Sequence, residues 1–112
     1  MLLLAEALTI DKKVDEAIEI YCEVLEARTE AGEPTKDIHR AIAPLYSQNG
    51  KFVQAAESLA KVLEIEDQEL AKVTIYTKIA GNYKKANDLD KCLENSKAAY
   101  NLMKKLEGDL DS

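Results

Sequence analysis

Few side chains in this sequence are equipped for covalent or acid–base chemistry. There is one histidine, His39, and two cysteines, Cys22 and Cys92, seventy residues apart. A nucleophile–base pair needs a serine or cysteine and a base at matched spacing, and His39 has no such partner. A zinc-type site needs clustered His, Cys or carboxylate ligands, yet no CxxC or comparable spacing occurs. The four glycines are scattered turn residues, so there is no glycine-rich phosphate loop. The inventory predicts a non-enzymatic chain with no catalytic residue, no metal and no cofactor. His39 then reads as a packing residue.

What remains is the chemistry of charge. The chain carries a formal charge of −6 and a pI near 4.8. Residues 1–34 hold nine acids and three bases, whereas residues 35–112 hold twelve of each. Such a balance argues against nucleic acid or an anionic membrane surface as partner. Glu16, Glu19, Glu23, Glu26 and Glu30 recur at 3-4-3-4 spacing, the pattern of one helix face. A solvated outer face is the favoured reading, with a docking edge for a basic segment as its functional rival. The opening MLLLA has no basic flank, meets Glu6 at once and is too short to span a bilayer. Isolated thiols and no leader-like segment predict a reduced, cytoplasmic protein.

The elements that position these charges are helical. Hydrophobic residues make up 46% and charged residues 32%, with two prolines and abundant Ala, Leu, Glu and Lys. These are strong helix formers, so the chain reads as all-α, and 112 residues suit one domain. Three segments are self-similar: 14–27, 52–65 and 89–102. Ala17, Ala55 and Cys92 align across them at intervals of 38 and 37 residues. Nine residues earlier stand Leu8, Tyr46 and Tyr83, then Ala5, Ala43 and Ala80, each preceded by Leu4, Ile42 or Ile79. Each unit reads as two amphipathic helices, six in all, near 2–10, 13–31, 36–48, 52–64, 69–85 and 89–106. Gly50 and Asn87 suit the tight turns, Asp88 an N-cap, and Gly32 and Gly108 helix ends.

The spacing resembles the tetratricopeptide repeat, W-x₂-L-G-x₂-Y followed by A-x₃-F and P. The middle unit reads His39-x₂-Ile42-Ala43-x₂-Tyr46, then Ala55-x₃-Leu59; the third reads Tyr76-x₂-Ile79-Ala80-x₂-Tyr83, then Cys92-x₃-Ser96. The first begins at Met1-x₂-Leu4-Ala5-x₂-Leu8, then Ala17-x₃-Tyr21. Alanine replaces the signature glycine throughout, no proline closes a unit, and the periods exceed the usual length of about 34. Longer second helices account for this, as in long-repeat relatives that bind signalling or motor partners. Ser96 is polar where a large apolar residue belongs, which predicts looser packing in the last unit.

The resemblance implies a right-handed α-solenoid of three helix-turn-helix repeats, approximately 1–34, 35–68 and 69–108, with the first helices lining a concave side. Close helix approach requires Ala43 to face Ala55, and Ala80 to face Cys92. By helical phase the concave positions are Leu2, Leu3, Glu6 and Thr9; Asp37, Arg40, Ala41, Pro44, Ser47 and Gln48; and Thr74, Thr77, Lys78, Gly81, Lys84 and Lys85. Arg40, Pro44, Ser47, Thr77, Lys78, Lys84 and Lys85 are the expected partner-binding residues. Tetratricopeptide co-chaperones grip a chaperone's C-terminal carboxylate with a Lys/Asn/Arg clamp. Lys78 fits one clamp position, but Leu2, Glu6, Ala41 and Thr74 stand at the others, against that reading.

The expected function is a protein-interaction module offering its groove to a peptide or partner helix, acidic because Arg40, Lys78, Lys84 and Lys85 outnumber Asp37 and Glu6. The alternative is a structural segment of a longer scaffold, or self-association through exposed terminal helices: Met1, Leu2, Leu3 and Leu4 at one end and Leu102, Met103 and Leu106 at the other, where no capping helix is expected. Pro44 lies well inside a helix. Its kink either reshapes the concave wall or is relieved by solvent.

Overall fold

The structure is a computed structural model describing the backbone of residues 2–10 and 13–111, with side chains over 2–9 and 13–108. Met1, the first signature position of the first unit, lies outside the described residues. Six helices follow in order: α1 (Leu2–Ile10), α2 (Val14–Ala31), α3 (Lys36–Gln48), α4 (Phe52–Ile65), α5 (Glu69–Lys85) and α6 (Leu89–Asp111). No strand occurs among the described residues.

The pairs α1–α2, α3–α4 and α5–α6 are hairpins closed by one recurrent backbone bond. The N–H groups of Lys13, Lys51 and Asp88 donate to the carbonyls of Leu8, Tyr46 and Tyr83 at 2.8, 2.8 and 2.9 Å. These three acceptors are the positions that align in the sequence. Gly50 (φ 76°) and Asn87 (φ 63°) make the left-handed turn that such a closure demands, a conformation glycine and asparagine adopt most readily. Asp88 then caps α6, its Oδ1 accepting from the Lys91 N–H at 3.2 Å. Gly32 (φ 71°) ends α2 in the same way.

Gly108 does not end a helix: α6 continues to Asp111. Glycine weakens a helix interior by only about 1 kcal/mol relative to alanine, and a helix already formed propagates through it. Nor does Pro44 break α3, which runs unbroken to Gln48 with the ring exposed.

Short connections force each helix back along its predecessor, so packing runs along the chain. The α5–α6 contact is the most extensive, followed by α3–α4 and α4–α5, with α2–α3 the thinnest between consecutive helices. One core joins the first three helices through Ala5, Ala17, Ile18, Tyr21, Ile38, Ile42 and Leu45. A second joins α3, α4 and α5 through Ala43, Ala56, Leu59, Val62, Ile75 and Ile79. The small residues Ala43, Ala55 and Ala80 are buried, as close helix approach requires, while Cys92 is half-buried. The radius of gyration is 15.5 Å, against about 13 Å for a globule of this length, because the hairpins stack in a row.

Two polar devices tie helix ends together, one within the middle hairpin and one between hairpins. The Lys36 ammonium lies 3.2 Å from Oε1 of Glu66, whose Oε2 accepts from the N–H groups of Asp67 and Gln68. Those bonds hold the Glu66 carboxyl below the usual carboxylate range, the Gln68 N–H contributing most and Lys36 next. Between the first two hairpins, Arg28 Nη1 reaches Asp37 Oδ1 at 2.9 Å and Oδ2 at 3.1 Å.

Candidate functional site

The first helices of the hairpins carry the polar side chains that face a run of hollows. One of these, about 500 Å³, lies between α3 and α5. Its walls are Pro44, Ser47 and Gln48 from α3 and Lys78, Gly81, Asn82 and Lys85 from α5; Ala43 and Leu59 form the floor. Four of the seven expected binding residues therefore meet here: Pro44, Ser47, Lys78 and Lys85. Arg40 sits in an adjoining hollow with Thr74, Ile75 and Lys78, so the cationic lining is continuous through Lys78. A further hollow joins Glu6 and Thr9 of α1 to Ala41, Pro44 and Gln48 of α3. Thr77 and Lys84, which stand one period after Arg40 and Ser47, line the next hollow along, between α5 and α6, and Gly81 belongs to both hollows.

Pro44 and Gly81 occupy equivalent positions 37 residues apart. Both are poor helix formers, and both keep the groove open because neither presents a long side chain. Ser47 Oγ donates to Asn82 Oδ1 at 3.0 Å, and Asn82 Nδ2 donates to the Lys78 carbonyl at 3.0 Å. Asn82 thus bridges the two walls. The helical-phase reading passed over it, although it lies four residues after Lys78, and passed over Leu59 because only first helices were counted.

The electrostatics of this face oppose those of the chain. No carboxylate among the described residues lines the α3–α5 groove. Asp37, the acid assigned to the middle unit's concave series, is taken up by Arg28. Arg40 and Lys78 are exposed and form no ion pair among the described residues. Lys85 lies 5.7 Å from the Phe52 ring centroid, which holds its charge at the groove rim. The acidic stripe Glu16, Glu19, Glu23, Glu26 and Glu30 is exposed along α2.

His39 is half-buried, and its Nδ1 is buried without a hydrogen-bond partner. Burial and the nearby Lys61 lower its pKa below the ordinary 6.5, partly opposed by Glu64. Cys22 Sγ lies 3.6 Å from Tyr46 Oη, between α2 and α3. Burial and that bond push the Tyr46 hydroxyl up to about 12. No group of His, Cys, Asp or Glu among the described residues has the arrangement to hold a metal ion. No helix among them is long and apolar enough to cross a membrane.

Comparison with known proteins gives a likeness of fold. No protein-family model matches the chain, and no curated protein does. The chain is similar to the crystal structure of BtubC (BKLC) from P. vanneervenii, with a TM-score of 0.75 and 18% identity. The likeness covers 96% of this chain but 46% of that protein, so the chain spans about half its length.

Proposed function

We propose that the chain is a non-enzymatic interaction module, a right-handed solenoid of three tetratricopeptide-like repeats that takes an acidic peptide or partner helix in the α3–α5 groove. The observation that carries this reading is a groove lined by lysines and free of carboxylates in a chain of charge −6. Local potential, not net charge, selects a docking segment. Leu59, Ala43 and Pro44 give the ligand an apolar bed, while Lys78, Lys85, Ser47 and Gln48 fix its polar groups. The three identical hairpin closures and the 37–38-residue register support the repeat assignment.

The test is titration of an extended acidic peptide and its acid-to-amide analogue, followed by fluorescence anisotropy. The acidic peptide binds more tightly, its affinity falls as salt rises, and Lys78→Ala with Lys85→Ala weakens it by about tenfold. Gly81→Leu blocks the groove without unfolding the chain, since a Cβ there meets nothing within 4 Å. Equal binding of the two peptides would sink the reading.

A second reading, a structural segment acting in assembly, is favoured by the exposed apolar side chains of the terminal helices: Leu3 and Leu4 on α1, and Leu89, Leu93, Tyr100 and Met103 on α6. Leu102 and Leu106, the residues expected to carry association, are instead half-buried.

A further inference from the structure

The groove between α3 and α5 continues past Pro44. Pro44 and Gln48 also border a hollow of about 360 Å³ between α1 and α3, where Glu6 and Thr9 form the α1 wall and Tyr21 the floor. The two hollows make one run across three first helices, with Pro44 as the common wall.

Their charges are opposite. From α1 to α5 the side chains change from the Glu6 carboxylate, through uncharged Pro44, Ser47 and Gln48, to the ammonium groups of Lys78 and Lys85. Among the described residues no Lys or Arg lines the α1–α3 hollow. Arg40 of α3 lines the hollow that holds Lys78, not the one that holds Glu6.

Hydrogen-bonding capacity divides in the same way. Thr9 Oγ1 donates its proton to the Ala5 carbonyl at 2.8 Å, which leaves the hydroxyl oxygen as an acceptor near Glu6. Glu6 is exposed and forms no ion pair among the described residues. Its field reaches the floor of the hollow: burial first, and the Glu6 carboxylate second, raise the Tyr21 hydroxyl above its ordinary 10. A carboxylate, a hydroxyl oxygen and an aromatic ring together suit a lysine or arginine side chain.

We infer that this face takes a segment of mixed charge, with a lysine or arginine in the α1–α3 hollow and acidic residues in the α3–α5 groove. The inference rests on the groove reading and adds a second contact at its far end. A uniformly acidic segment would set a carboxylate against Glu6, and a uniformly basic one would set cations against Lys78 and Lys85. Helices stacked side by side lie about 10 Å apart, so an extended segment covers the two steps from α1 to α5 with about six residues.

Fluorescence anisotropy on the 112-residue chain tests this, with circular dichroism to verify that each variant folds. The probe is a peptide with an arginine separated by about six residues from a run of aspartates. It is compared with its arginine-to-glutamine and aspartate-to-asparagine analogues, and each sequence is also made in reverse so that both chain directions are covered. In one direction at least, the arginine tightens binding about threefold to fivefold, the strength of an exposed ion pair. Glu6→Gln abolishes that gain and leaves binding of the glutamine analogue unchanged. Glu23→Gln, on the exposed face of α2, leaves the gain intact. If the aspartates tighten binding but the arginine and Glu6 act independently, or if Glu23→Gln removes the gain equally well, the mixed-charge ligand is overturned and the acidic-ligand groove stands. If the aspartate and asparagine peptides bind equally, the groove reading falls and this inference with it.

Discussion

The α3–α4 and α5–α6 hairpins share a sequence register, a closing bond and a left-handed turn, yet one is the best-buried part of the molecule and the other exposes most of its face. The difference lies in what covers them. Val62 is fully buried because α5 lies over it; around the equivalent Ala99, itself buried, Ser96 and Tyr100 stay in solvent. A helical hairpin has one apolar face more than it can bury alone, so burial is a property of neighbours and not of the hairpin itself.

The sharpest way to break this comparison is to exchange residues between equivalent positions. Leu59→Ser removes a core side chain beneath α5 and should lower stability by about 2–5 kcal/mol. Ser96→Leu, its mirror, should change the stability of dilute chain by no more than about 0.5 kcal/mol, since solvent meets it in both states. Urea melts of the two variants check the pair, and equal effects would mean that the two hairpins do not differ in cover.

Overpacking separates the hairpins less strongly. Ala55→Leu places extra methylenes in a site with no exposure and should cost about 1–3 kcal/mol. Cys92→Leu at the equivalent half-buried position should cost less, as thermal melts would show. An Ala55→Leu variant as stable as its parent would show that the helix register is misplaced.

The glycines sharpen the contrast between turn and groove. Gly50 has φ 76°, so Gly50→Ala forces a left-handed alanine and should destabilise by about 1–2 kcal/mol. Gly81 lies within α5 with open space around it, so Gly81→Ala should stabilise by about 0.5–1 kcal/mol.

The smallest effect is one of pH, and it falls on the α3–α4 hairpin. His39 has a folded pKa below its ordinary 6.5, so the unfolded chain binds the extra proton first and stability declines as pH drops below that value. Glu66 is held below its ordinary 4.5, so its contribution is complete above that pH and is lost as pH falls towards the folded value. Replacing His39 by glutamine should remove the upper step, and Glu66→Gln the lower one. Hydrogen exchange should locate the early loss in α3 and α4 rather than in α6.

Much of this was legible in the sequence because it is local. The period, the six helices, the turns at Gly50 and Asn87 and the Asp88 cap depend on residues within a few positions of one another. Helical phase placed Pro44, Ser47, Lys78 and Lys85 on one face, and they do share a groove. It also placed Thr77 and Lys84 there, and they line the adjoining hollow between α5 and α6, which shares Gly81 with that groove. The end of α6 was misjudged because Gly108 is a stop signal only where the following chain turns away.

Composition and spacing alone determined that the chain is helical, that its units recur every 37 or 38 residues, and that small residues mark the close helix contacts. Only the tertiary structure decided that Asn82 joins α3 to α5, that Arg28 takes up Asp37, and that Leu59 lies buried while Ser96 stays in solvent. Helix formation is governed by neighbours a turn away along the chain. Burial and charge pairing are governed by which helices lie alongside, and the three near-equivalent units leave that choice to packing in space.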